Sequence, residues 1–286
     1  RVALVVHVDL SVLVWFVAIA GMLWSLNLRP FGTRLGRALA AAPLVLCGLG
    51  SLAMGVAAFV DPGEAIMANY IPLLDSAAFR FALWLFAAGA LLLVLLGLLR
   101  GMPVGRAVDG SAALRFGLHA SVVAAAVALL AFGWSLATVP LALPAKAYYE
   151  ILFWGGGHAL QFTWTLLMLV AWLALAQACG GRVGLSPRVV LLLFVIALVG
   201  VFVTPLAYLM HEVASVEHRA LHTWAMRLGG GLAIAPVVLA ALIAVAPLRD
   251  LRPWQRPLRA ALLASMLLFV AGGVIGIAIH GSNVKI

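Results

Sequence analysis

Charged residues are scarce in this chain. Asp, Glu, Lys and Arg make up 9% of its 286 residues, while hydrophobic residues make up 66%. A soluble domain carries roughly 25% charged residues, so this composition excludes a soluble enzyme or a soluble binding module. The chain is therefore expected to sit in a membrane.

Cysteine is also nearly absent, and this absence excludes two kinds of site. The only two cysteines are Cys47 and Cys179, and neither belongs to a CxxC or CxxCH motif. No zinc knuckle and no covalently attached c-type haem is therefore encoded. There is no Gly-rich phosphate-binding loop after a strand. There is also no basic leader with a small-residue cleavage site, so we expect no cleaved signal peptide. Glycine triplets at 155–157 and 229–231 favour close helix packing or room for a flat cofactor.

What the chain has instead is a series of apolar runs long enough to span a bilayer. They predict an all-α membrane protein, organised as a single polytopic domain over residues 1–286. The eight predicted helices are 2–26, 38–60, 77–99, 112–139, 147–178, 188–210, 219–247 and 257–280.

Positive charge is distributed unevenly between the connectors. The connectors 27–37, 99–115, 179–188 and 248–259 hold twelve of the eighteen Lys and Arg residues: Arg29, Arg34, Arg37, Arg100, Arg106, Arg115, Arg182, Arg188, Arg249, Arg252, Arg256 and Arg259. The connector 61–76 instead carries three acidic residues and no base. The positive-inside rule places the arginine-rich connectors in the cytoplasm and both termini outside. The net charge of +9 is thus a topology signal and not a nucleic-acid patch.

Histidines cluster near the predicted outer side. Six of the seven are there: His7, His158, His211, His218, His222 and His280. Because an imidazole inside lipid is costly unless something satisfies it, this clustering indicates a bound metal or haem. His7 and His158 are the strongest candidates, since apolar turns flank both. His211 and His218 fit equally well as solvated connector residues, and His119, near the inner side, is interpreted as structural.

The fifth helix carries the most distinctive segment, Tyr148-Tyr149-Glu150-Ile151-Leu152-Phe153-Trp154-Gly155-Gly156-Gly157-His158-Ala159-Leu160-Gln161-Phe162. It resembles the main subunit of the haem-copper oxidase superfamily (cytochrome c oxidase subunit I), nearest to its C-type or cbb-type branch. The histidine of the corresponding segment binds copper there. Three further stretches are similar to family segments: His7-Val8-Asp9-Leu10-Ser11, His222-Thr223-Trp224-Ala225-Met226 and His280-Gly281-Ser282-Asn283.

The resemblance implies a fold, cofactors and partners. Helices one to eight would be family helices two to nine of a twelve-helix bundle, and the family's second helix also starts outside. The implied function is a haem-binding subunit of a respiratory electron-transfer complex in a bacterial inner membrane. His7 would be an axial ligand of low-spin haem b, and His158 a metal ligand, with a second haem nearby. The implied partners are other membrane subunits, a c-type cytochrome and the lipid bilayer.

Two departures limit the implied activity. The chain begins at Arg1 without Met and stops where the tenth helix should begin, so we expect a fragment, an incompletely registered sequence or one half of a split subunit. The missing part would hold the other haem ligands. The seventh helix shows Thr204 and Pro205 where the family keeps adjacent copper-binding histidines, with Tyr208 where the C-type branch keeps its cross-linked tyrosine.

These departures bear on copper and on enzyme activity. Phe162, four residues after His158, replaces the tyrosine of A-type oxidases. Because Thr204 and Pro205 replace the expected copper ligands, we expect no stoichiometric copper with three-histidine coordination. Any copper would have to recruit other ligands that the sequence does not identify, with His211 and His222 as candidates from the adjoining connector. Oxidoreductase activity is expected only if a tenth helix and a copper site are supplied.

Glu150 completes the set of candidate residues. It precedes His158 by eight residues, which is about 2.2 turns, so the two side chains lie about 80° apart around the helix. They could border one cavity and relay protons or hold a metal. Two other functions stay open: a cofactor-free scaffold subunit, and a transporter, which the lack of an inverted repeat disfavours.

Overall fold

The computed structural model describes residues 1–281, apart from the side chains at positions 230 and 276–281. Within these residues, eight helices are long and apolar enough to cross a membrane, which confirms the predicted number. They are α1 (Val2–Ser25), α2 (Arg34–Val60), α3 (Ala77–Arg100), α4 (Gly110–Thr138), α5 (Ala145–Ala178), α6 (Pro187–Met210), α7 (Val216–Val245) and α8 (Gln255–Gly281). The chain is thus a multi-pass, all-α membrane protein.

An antiparallel hairpin lies between α2 and α3, and no sequence pattern predicted it. It pairs β1 (Glu64–Ile66) with β2 (Leu73–Asp75), with Ala65 opposite Leu74. Its apolar side chains Ile66, Leu73 and Leu74 are buried against α1 and α3. The connector 61–76 is therefore a packed structural element of the bundle end.

Side-chain caps set where several helices begin. Thr33 Oγ1 accepts a hydrogen bond from the Gly36 N–H at 3.0 Å, and Ser215 Oγ accepts one from the His218 N–H at 3.1 Å. Such caps satisfy the first free N–H groups, so α2 begins at Arg34 and α7 at Val216, a few residues before the predicted starts. Asp109 caps α4, and the hydrogen bond from the Ala112 N–H lowers the pKa of its carboxyl below the usual range.

The helix α5 is the centre of the bundle. In the most apolar stretch of α5, 56% of the residues are buried inside the bundle, against 11% in the corresponding stretches of α1 and α8. The most extensive helix packing is between α4 and α5 and between α2 and α3. The larger apolar core joins α4, α5, α6 and α7, and it also includes Trp24 of α1, Val94 of α3 and Leu262 of α8. A second core joins α1, α2, α3 and the hairpin to Leu152 and Phe153 of α5. A side chain on α5 can therefore reach residues from both cores.

Connectors from the arginine-rich set meet at one end of the bundle, here called the arginine end. The Arg29 N–H donates to the Arg100 carbonyl at 2.9 Å, and the Met102 N–H donates to the Asn27 carbonyl at 2.7 Å. His119 Nε2 lies 2.6 Å from the Met102 carbonyl oxygen, so this imidazole fixes a connector. The opposite end, which holds the connectors 61–76 and 211–215, is called the histidine end.

Candidate functional site

The glycine triplet of α5 is where three different parts of the chain approach the central helix. A Cβ at Gly155 would overlap the ring of Tyr208 on α6, and one at Gly156 would overlap Phe132 on α4. A Cβ at Gly157 would overlap the ring of Tyr70 in the connector 61–76. Of the two roles that the sequence allows, the structure shows packing: three rings occupy the space that the glycines leave.

His158 follows the triplet directly and is buried at the same level. Its Nδ1 lies 2.8 Å from the Tyr70 hydroxyl oxygen and 2.8 Å from the Trp154 carbonyl oxygen. Because a carbonyl can only accept, a hydrogen on Nδ1 satisfies that contact and leaves Nε2 as the unprotonated nitrogen. The ring of Trp154 packs beside it, 4.6 Å away between centroids.

Two further imidazoles from α7 face His158. His222 Nδ1 lies 2.8 Å from the His218 carbonyl oxygen, so by the same argument its buried Nε2 is unprotonated. The ring of His222 is 5.7 Å from that of His158 and 4.6 Å from that of His218. His158, His218 and His222, here called the histidine cluster, thus form a contiguous buried group.

The structure separates the two histidines that the sequence left undecided. His218 is completely buried in the first turn of α7, and neither of its ring nitrogens has a hydrogen-bond partner in the described part of the chain. His211 is half-buried in the connector before α7. The N-cap Ser215 explains the difference, because it starts the helix early enough to turn His218 inward.

Tyr208 packs against the histidine cluster from α6. Its ring meets that of His218 edge-on at 4.6 Å and lies 6.0 Å from that of His222. Its hydroxyl is 2.6 Å from Ser135 Oγ on α4. The candidate residue Tyr208 is therefore part of the site, and Ser135 is a member that sequence reasoning missed.

Glu150 reaches the same connector as His158. Its carboxylate accepts hydrogen bonds from the Asn69 backbone N–H at 2.9 Å and from the Asn69 side-chain amide. Glu150 and His158 therefore hold consecutive residues, Asn69 and Tyr70. Burial, and then the nearby Glu150 carboxylate, raise the pKa of the Tyr70 hydroxyl well above its usual range. The hydroxyl stays protonated at neutral pH.

His7 and Asp9 occupy different faces of α1. The His7 side chain is exposed beside exposed Leu4 and Leu10. Asp9 is 1% exposed, and both of its carboxylate oxygens lack a partner within the described chain. It opens the π-helical segment Asp9–Val14, and such bulges are frequent at functional sites. An acidic residue inside an apolar run was the signal that could have singled it out.

The remaining candidates do not extend the site. The His280 side chain lies outside the described residues, so its predicted role is untouched. Thr204 is buried on α6 and Pro205 follows it, and neither offers an imidazole. Among the side chains that the structure describes, no group of three or more His, Cys, Asp or Glu is arranged to hold a metal ion.

Two bacterial proteins are similar to the chain in sequence. An uncharacterized protein of Rickettsia prowazekii (strain Madrid E) is 24% identical over 270 residues, covering 82% of the chain and 50% of that protein. An uncharacterized protein of Aquifex aeolicus (strain VF5) is 27% identical over 291 aligned positions, covering 99% of the chain and 68% of that protein. The chain therefore spans about half the length of the Rickettsia relative and about two thirds of the length of the Aquifex relative. No family model and no solved structure matches it.

Proposed function

We propose that the chain is a haem-binding membrane subunit of a respiratory electron-transfer complex in a bacterial inner membrane. The observation that carries the proposal is the histidine cluster: three imidazoles lie buried in contact at one end of an apolar bundle. Burying imidazoles without hydrogen-bond partners is costly, and such residues inside membrane bundles typically mark functional sites. The segment that resembles the haem-copper oxidases contributes His158 to this cluster from the central helix.

The surroundings of His7 fit an axial haem ligand. The imidazole stands on an exposed apolar face of α1 between Leu4 and Leu10, the kind of surface against which a flat macrocycle packs. Ser11 Oγ donates to the His7 carbonyl at 2.5 Å, one turn further along the same face. When bound, the haem would supply one-electron transfer, with iron potential tuned by its axial ligands. The chain's own contribution is one ligand and an apolar wall.

The histidine cluster would handle protons beside that electron carrier. Consecutive ring centroids are 4.6 Å apart from Tyr208 to His218, 4.6 Å from there to His222, 5.7 Å to His158 and 5.2 Å to Tyr70. Tyr208 also lines a cavity of about 450 Å³ at the histidine end. The row of packed rings thus runs from that cavity to the connector 61–76, and each of its groups can hold a proton.

Haem content is the first test of the proposal. We expect the purified protein, extracted into acidic solvent, to release haem b in at least a one-to-one ratio to the chain. The measurement is a haemochrome assay beside a protein determination. Haem-free protein that keeps its helical circular dichroism would contradict the proposal and support a cofactor-free scaffold.

Orientation in the membrane follows from the charge asymmetry. With the arginine end in the cytoplasm, reporter fusions at residues 105 and 182 should give cytoplasmic signals. A fusion at residue 142, in the connector between α4 and α5, is the matched control and should report the outer side. Reversed signals at all three positions would contradict the proposed topology.

The proposed function also predicts the copper content of the purified protein. Because Thr204 and Pro205 stand where the family keeps imidazoles, we expect elemental analysis to give copper well below one per chain. Oxygen uptake should be correspondingly slow. About one copper per chain with fast oxygen consumption would contradict this.

A further inference from the structure

A second cavity lies at the arginine end, away from the histidine cluster. It measures about 440 Å³ and opens between the connector that follows α7 and the start of α8. Its lining residues are Arg249, Leu251, Arg256, Arg259, Ala260 and Leu263. Three guanidinium groups and no carboxylate therefore surround one cavity at the edge of the membrane-spanning region.

The lining of the cavity changes from basic to apolar along α8. Arg256, Arg259 and Leu263 follow one another on one face of α8, at the spacing of helical turns. Leu263 lies seven residues after Arg256, which is about 10 Å further along the helix axis. An occupant would thus meet positive charge at the interface and an apolar wall toward the bilayer centre.

Hydrogen bonds that link α8 to its preceding connector and to the end of α5 hold the cavity walls in place. Arg259 Nη1 donates to the Leu248 carbonyl at 2.6 Å, which fixes the connector against α8. Gln255 Nε2 donates to the Ala178 carbonyl at 3.2 Å, and Gln255 Oε1 accepts from the Arg252 N–H at 3.0 Å. The start of α8 is therefore tied both to its own connector and to the end of α5.

The charge of the cavity is not neutralised within the described chain. The one ion pair found there joins Arg80 to Asp75, at the histidine end. Asp250 adjoins Arg249 in sequence, but it is exposed and does not line the cavity. Anionic groups that accept several hydrogen bonds, such as phosphates, are the partners that clustered arginines prefer.

We infer that this cavity binds the phosphodiester headgroup of an anionic phospholipid, with an acyl chain lying along α8. The helix α8 is among the most exposed of the bundle, and large apolar side chains such as Leu267 and Leu268 cover its surface beyond Leu263. Trp254, which directly precedes α8, is exposed, and indole rings at the ends of membrane helices anchor to headgroups. Basic pockets at the ends of membrane helices are typical of such sites. This site is independent of the proposed haem function.

The test uses the full chain, delipidated in mild detergent and titrated with phosphatidylglycerol. Native mass spectrometry counts bound lipid, and the thermal unfolding midpoint gives the affinity. The double variant Arg249→Gln/Arg256→Gln should bind about 25-fold more weakly, because each guanidinium near an anionic lipid contributes about a fivefold factor. The matched control Arg182→Gln/Arg188→Gln removes the same charge from exposed positions at the same end, and should bind like the wild type.

Three outcomes would overturn the inference. Equal weakening in both double variants would mean diffuse surface charge. Phosphatidylcholine binding as tightly as phosphatidylglycerol would mean no headgroup recognition. Millimolar inorganic phosphate raising the unfolding midpoint as much as the lipid would mean a soluble anion site. If the double variant does not fold, the single change Arg249→Gln, at an exposed connector position, should still weaken binding about fivefold.

Discussion

Replacing His7 by alanine is expected to abolish the low-spin haem b spectrum that we propose for the protein. The imidazole is the one histidine of α1 and stands exposed on an apolar face, without a buried partner to hold it. Low-spin haem b depends on strong axial ligands, so loss of one ligand changes the spin state or releases the haem. We expect more than nine tenths of the low-spin absorption to disappear, measured per chain in reduced, purified protein.

The matched control for this variant is His211→Ala. His211 is a half-buried histidine of the same bundle end that lies outside the histidine cluster, so its loss should leave the haem spectrum unchanged. Comparable circular dichroism of both variants shows that folding is not the cause. A His7→Ala protein with an intact bis-histidine spectrum would contradict the assignment of His7 as a ligand.

Adding a single methyl group at Gly156 is expected to destabilise the bundle. The Cβ of Gly156→Ala would overlap the ring of Phe132, which packs edge-on against Phe153 at 6.1 Å between centroids and has little room to move away. Overpacking of this kind costs about 1–3 kcal/mol. The midpoint of thermal unfolding in detergent should fall by about 2–4 °C for each kcal/mol.

The opposite sign is expected for Gly133→Ala, which makes the same chemical change on α4. No atom outside the helix lies within 4 Å of the position that its Cβ would take. Alanine favours helix over glycine by about 1 kcal/mol, so this variant should be as stable as the wild type or more stable. Equal behaviour of the two variants would contradict the packing that the structure gives to the glycine triplet.

The eight helices were predictable because the membrane imposes one strong pattern on the sequence. Apolar runs gave the number of spans, while the starts of α2 and α7, which Thr33 and Ser215 cap, were predicted a few residues too late. Ser215 illustrates this, because it starts α7 at Val216 and so brings His218 inside. The hairpin of 64–75 was not predicted, since its burial depends on α1 and α3 and not on its own short strands.

The individual residues of the site could be predicted from the sequence better than their arrangement in space. His158, His222, Tyr208 and Glu150 were singled out from the sequence, and the structure places all four at the histidine end. Their links run through residues with no local signal: Tyr70 and Asn69 come from a connector about 80 residues away in sequence. Such contacts arise from tertiary packing, which periodicity does not encode.

Asp9 shows a different kind of omission. His7 and Asp9 are two residues apart and stand on different faces of α1, with His7 exposed and Asp9 buried. The sequence does not show that the Asp9 carboxylate is enclosed without a hydrogen-bond partner among the described residues. A helical wheel gives the direction of a side chain, but not what the neighbouring helices offer it.

The central claim is that this bundle carries haem, and the reduced-minus-oxidised absorption spectrum of the purified protein tests it most directly. We expect the wild type to show a sharp difference band of low-spin haem b, which His211→Ala retains and His7→Ala loses. A flat difference spectrum from protein with intact helical circular dichroism, purified from cells with ample haem, would contradict the account.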